Sequence, residues 1–130
     1  MHLRARYAER YAGHWVVTHG DTVTFPGLGD RFHLTDIVLD TARVAVGRTC
    51  HFRGTLVFRV PRETLAVTWY GLPEQALIYG WPATLGPFAG IGATRVGDSL
   101  VGSVLFDARL GVQVRPGVTA RFTAGRVAPR

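Results

Sequence analysis

Short apolar runs closed by glycine, proline or aspartate follow one another along almost the whole chain. His14–Thr18 and Thr22–Phe25 flank the turn signal His19-Gly20-Asp21, and Pro26-Gly27-Leu28-Gly29-Asp30 makes the next break. Phe32–Asp40, Thr49–Val60, Glu63–Tyr70, Ala76–Ala83, the glycine-broken Leu85–Gly92, Ser99–Arg109 and Val118–Val127 complete the series. The corners are Gly47, Pro61-Arg62, Gly71-Leu72-Pro73 and Pro116-Gly117. About eight strands with turn chemistry at roughly 10–15-residue spacing predict a sandwich or barrel rather than alternating βαβ units. The one candidate helix is short, around Leu3–Tyr11, and residues 1–13 read equally as an irregular arm. No linker or internal repeat divides the chain, so 1–130 is expected to be one domain.

The faces of these strands are mixed. Over Thr49–Phe58 one face carries Thr49, His51, Arg53 and Thr55, and the other carries Cys50, Phe52, Gly54, Leu56 and Phe58. In a sandwich the apolar set would be the core. In a barrel either set could line the lumen, and composition does not choose. Aromatic residues gather in the middle of the chain, at Phe52, Phe58, Trp69, Tyr70, Tyr79, Trp81 and Phe88. Such a set forms a core or an aromatic-lined pocket.

Composition narrows the class. Apolar residues make up 47% and charged residues 18% of the 130, which excludes a disordered chain. The net charge is +6 and every one of the 15 Lys+Arg positions is Arg. They are scattered from Arg4 to Arg130, so the sequence does not concentrate a nucleic-acid surface, and no nucleic-acid partner is expected. The lone Cys50 cannot form an internal disulfide, which fits a reducing, cytoplasmic location. The opening MHLRARYAERYAGHW has no apolar core of a secretory signal, and no run is long enough for a membrane helix.

Three motifs invite a chemical reading. Gly97-Asp98-Ser99-Leu100 spells the nucleophile block of one esterase family, but no His follows His51 to serve as base, so a turn entering a strand is expected. Gly90-Ile-Gly92 lacks the third glycine and the helix of a dinucleotide loop. His2, His14, His19, His33 and His51 form no metal-ligand spacing, so no metal is expected.

A family pattern lies in Gly29-Asp30-Arg31-Phe32-His33-Leu34-Thr35-Asp36-Ile37-Val38-Leu39-Asp40, continued by Val46-Gly47-Arg48-Thr49, Gly80-Trp81 and the segment from Ala89 to Gly102. In order and spacing these resemble the allene oxide cyclase-like barrels over Gly29–Gly125. The chain departs from the family's glycine-rich segment at Ala93 and Arg95.

The resemblance implies an all-β, eight-stranded antiparallel β-barrel with a central ligand cavity. It implies a cofactor-independent cyclase, similar to the bacterial spirotetronate cyclases, which folds a linear polyketide for intramolecular ring formation such as a [4+2] cycloaddition. Ring closure of that kind needs a near-attack geometry and few ionisable groups. The alternatives are a barrel that binds a hydrophobic small molecule without turnover, and a dirigent-like protein. A homo-oligomer, dimer or trimer, also follows from the family.

Matched to the family, Arg53, His51, Asp36 and Tyr70 become the candidate catalytic groups. Phe32, Leu34, Thr49, Ala66, Thr68, Ile78 and Pro82 become substrate-binding positions. By the same parity Gly80 points inward, and Trp69, Tyr79 and Trp81 point outward.

Overall fold

The computed structural model describes residues 9–24, 31–46, 49–59, 63–72, 77–82, 88–106, 109–110, 113–114 and 118–127. One helical turn at 9–11 precedes the strands. These are β1 (Gly13–Gly20), β2 (Val23–Thr24), β3 (Arg31–Val46), β4 (Thr49–Arg59), β5 (Glu63–Leu72), β6 (Leu77–Pro82), β7 (Phe88–Val96) and β8 (Ser99–Phe106). β9 (Arg109–Leu110), β10 (Gln113–Val114) and β11 (Val118–Arg126) follow.

β3 to β8 pair antiparallel in chain order, β11 pairs with β8, and β1 lies between β11 and β3. The β1–β3 ladder closes the sheet into an eight-stranded antiparallel barrel. Closure gives each of β1, β3–β8 and β11 a partner on both sides over at least part of its length. The strands sit close to where hydrophobic patterning puts them. β1 continues through His19-Gly20, which the turn signal assigns to a corner, and β3 runs on to Val46. Gly97-Asp98 is a two-residue turn into β8, with Gly97 at φ 59° in the left-handed region. The dinucleotide-like glycines lie inside β7.

Inside the barrel, alternation sorts the side chains. Phe52, Gly54, Leu56 and Phe58 of β4 are buried, as are Val67 and Trp69 of β5, Ile91 and Ala93 of β7, and Leu100 and Val104 of β8. Trp15, Trp69, Phe58, Ile37 and Leu56 are among the largest sealed side chains. Trp69 fits because β4 has no side chain at Gly54. A Cβ there would lie 3.2 Å from the indole Cδ1 and 3.0 Å from the Val38 carbonyl oxygen. The indole Nε1 crosses that gap and donates to the Arg53 carbonyl at 2.8 Å and the Asp40 carbonyl at 3.2 Å. Its ring packs against Phe52 with centroids 5.0 Å apart.

The register of β3 shifts twice, between Leu34 and Asp36 and between Leu39 and Arg43, and the first shift decides the site. Leu34 pairs with Phe58, but the next paired residue is Asp36, opposite Val57. Thr35 is the extra residue of this bulge, and its Oγ1 donates to the Val57 carbonyl at 3.1 Å. Beyond it Ile37 and Leu39 point inward, so Asp36 points outward.

Among the described residues no helix is long and apolar enough to cross a membrane.

Candidate functional site

The family-matched positions divide between the two sides of the barrel wall. Leu34, Ile78 and Gly80 are buried inside, as expected, and Pro82 shares the face of Val67, which is also inside. The backbones of Phe32 and Thr49 lie on β3 and β4, and their side chains fall outside the described residues.

The expected polar lumen is not assembled. Arg53 alternates with inward Phe52 and Gly54 and is exposed on the outer face. Ala66, Thr68 and Tyr70 alternate with inward Val67 and Trp69, so they too lie on the outer face. Trp69, expected outside, is 1% exposed inside. Tyr79 and Trp81 point outward, as expected. The Thr35 bulge turns Asp36 outward, where its Oδ1 lies 2.7 Å from His14 Nε2 on β1. Among described residues, no group of three His, Cys, Asp or Glu could hold a metal.

His51 is the exception to simple exposure. It lies on the outer parity of β4 yet is 8% exposed, because rings from β5 and β6 cover it. Its ring meets Tyr70 edge-on at 5.5 Å and Trp81 at 5.1 Å, at interplanar angles of 83° and 80°. Tyr70 also packs against Tyr79 at 5.8 Å and Trp81 at 5.5 Å. This cluster is an outer-wall feature. Sequence spacing shows Trp69-Tyr70 and Tyr79-Gly80-Trp81 as neighbours, but alternation splits each set across the wall.

The two ends of the barrel differ. At one end Tyr11 is 3% exposed and packs in the same core as Trp15. The Trp15 indole donates to the Tyr11 carbonyl at 2.9 Å, and the Arg95 amide donates to the Tyr11 hydroxyl at 3.4 Å. Arg126 stacks over the Trp15 ring at 4.5 Å. Arg95 donates to the Arg10 carbonyl at 3.0 Å, and Arg126 donates to the same oxygen. Burial first, and then the like charge of Arg95, hold the Arg126 guanidinium below its ordinary value, while Asp98 acts the other way. The helical turn thus plugs this end.

The opposite end is where the β1–β3 seam parts. β1 runs beside β3 only over Gly13–Val16 and then follows β11 to the Gly20–Phe122 pair. A pocket of about 10 Å³ lies at this parting, lined by Gly20, Leu34, Phe58, Val104, Ala120 and Phe122, with Asp21 and Arg121 at its edge. That volume holds about one water. Asp21 is fastened to the edge: its amide donates to the Arg121 carbonyl at 2.9 Å, and its carboxylate accepts the Arg121 amide at 3.1 Å. Beyond the same edge, an open groove of about 400 Å³ runs over the outer side chains His19, Val101, Arg121 and Thr123.

The ends of β3 at Arg31, β4 at Arg59, β6 at Pro82, β8 at Phe106 and β11 at Val118 lie on this side. The inward residues here form an apolar floor with a hydrogen-bonded rim. The alternating pattern identifies Leu34 and Phe58 as floor residues. Nothing local to the sequence marks Gly20, whose place depends on β1 switching neighbours.

No protein-family model, curated protein or solved structure matches the chain.

Proposed function

We propose that the barrel binds an apolar organic molecule at the end floored by Leu34, Phe58, Val104, Ala120 and Phe122. The single observation behind this is the parting of the seam, which leaves an apolar floor under a fixed Asp21–Arg121 rim. Ligand sites of about 300–1,000 Å³ are far larger than the pocket itself. The molecule therefore rests on the floor, beside the Asp21–Arg121 rim, and does not fill the packed middle of the barrel.

The test is methyl NMR with 8-anilinonaphthalene-1-sulfonate as probe. Saturable shifts at Leu34, Val104 and Ala120, with Leu100 and Ala124 unmoved, support the reading. Shifts centred on Val101 and Thr123 place the probe in the outer groove instead and refute it.

Turnover is the second reading: a cofactor-independent cyclase that folds a linear polyketide-like chain for ring closure. It is favoured by the closed eight-stranded antiparallel barrel, the architecture that the resemblance implies. An apolar floor suits a [4+2] closure, which gains from a near-attack shape more than from acid–base groups. Incubation with linear diene–dienophile chains decides between carrier and enzyme. Ring formation no faster than in buffer leaves binding alone. Under either reading Arg53, Asp36 and Tyr70 are not lumen contacts, since they lie on the outer face.

A further inference from the structure

The outer wall of β4–β6 carries an unusual combination for a surface. Tyr70, Tyr79 and Trp81 are half-buried and stand side by side, and exposed Arg53 of β4 lies beside them next to exposed Asp40 of β3, with Arg59 farther along the same face of β4. Arg53 is opposite Thr68, and Thr68 is opposite Trp81, so Arg53 and Trp81 share one row across the strands. Beside the rings, Gly92 of β7 pairs with Tyr79 and offers no side chain. A Cβ there would lie 3.6 Å from two Tyr79 ring carbons. The neighbouring row of Tyr70 and Tyr79 therefore meets bare backbone at β7, and Tyr79 is not walled in by a side chain there. His51 props the set from below through its two edge contacts, so the rings are held before any partner arrives.

We infer that this face is a stacking platform for single-stranded nucleic acid. Two properties choose that occupant. Aromatic rings with adjacent arginines on an antiparallel sheet stack unpaired bases and meet their phosphates. The chain carries a net charge of +6, which complements a polyanion. The competing occupant is a second copy of this chain. It would bring together two molecules of net charge +6, and like net charges oppose association. The scatter of arginines along the sequence does not prevent this, because β4 brings Arg53 onto the row of Trp81. The inference is independent of the ligand reading above, which concerns the inside of the barrel.

The intrinsic fluorescence tests it. Trp15 and Trp69 are 0% and 1% exposed, so a base stacking on the wall can reach only Trp81. Addition of a 20-nucleotide oligo-dT or oligo-rU should quench that fluorescence saturably, more tightly than the matching duplex, with affinity falling as salt rises. Trp81→Phe should abolish the quenching, although the oligonucleotide still binds by anisotropy. Trp81→Ala should weaken binding about tenfold or more. Arg53→Gln should lower the salt slope by about one. A thermal melt confirms that each variant is folded.

Equal affinity for duplex, or unchanged binding by folded Trp81→Ala, overturns the inference. So does a protein that is dimeric by light scattering, becomes monomeric on Trp81→Ala and ignores the oligonucleotide. That last result assigns the face to self-association.

Discussion

At the residue scale, Trp69 shows how one absence and one presence fix a side chain. Gly54 vacates the space, and the indole fills it and satisfies the Arg53 and Asp40 carbonyls. Both effects are lost separately on substitution. Trp69→Phe keeps an aromatic ring beside Phe52 but removes an N–H that both oxygens accept. Loss of such a donor from a carbonyl costs up to about 1–3 kcal/mol. Urea unfolding of Trp69→Phe should therefore show a lower midpoint with an unchanged slope. An unchanged midpoint would mean that the two hydrogen bonds contribute nothing net.

The residue pattern around Trp69 was legible. Leu65, Val67 and Trp69 alternate with Thr64, Ala66 and Thr68, which by itself puts the tryptophan inside. The family-matched parity reverses that reading, and the structure sides with the alternation. Asp36 is different. Alternation from Leu34 carries it inward, and only the Thr35 bulge, set by long-range pairing with Val57, turns it out. Nothing in the neighbouring residues announces that bulge. His51 was also beyond local reading, since its burial depends on rings from two later strands.

At the element scale, the β7–β8 hairpin holds the tightest approach among the described glycines. A Cβ on Gly102 would fall 2.7 Å from the Ala93 Cα and 2.8 Å from its Cβ, and it would also collide with the Gly92 carbonyl oxygen. Gly102 and Ala93 are paired inward residues, so the collision is with a neighbouring backbone that cannot rotate away. Gly102→Ala should cost about 1–3 kcal/mol, the range for overpacking a fixed site. Hydrogen exchange should show the loss first at the amides of β7 and β8. Gly125→Ala is the control, because a Cβ there meets nothing within 4 Å. Equal stability of the two variants would contradict the close approach. Most strand positions follow from turn residues and apolar runs. The need for small residues at Ala93 and Gly102 does not, because it arises from the register between two strands.

At the scale of the whole molecule, the barrel is built with unlike ends, and that asymmetry separates stability from binding. The Tyr11–Trp15 plug ties the helical turn to β7 and β11 through Arg95 and Arg126, while the parted seam lies at the Gly20–Phe122 end. Tyr11→Ala removes a side chain that is 3% exposed. By analogy with other buried aromatic truncations, it should destabilise the fold by about 3–5 kcal/mol. It should also make Trp15 accessible to acrylamide quenching. Binding of the anilinonaphthalene probe at the far end, measured below the lowered melting temperature, should keep its wild-type Kd. A Kd weakened in step with the quenching of Trp15 would place the ligand at the plugged end and remove the basis for entry at the seam. An unchanged melting temperature would instead show that Tyr11 does not close the barrel, and the two ends would lose the distinction on which the binding site rests.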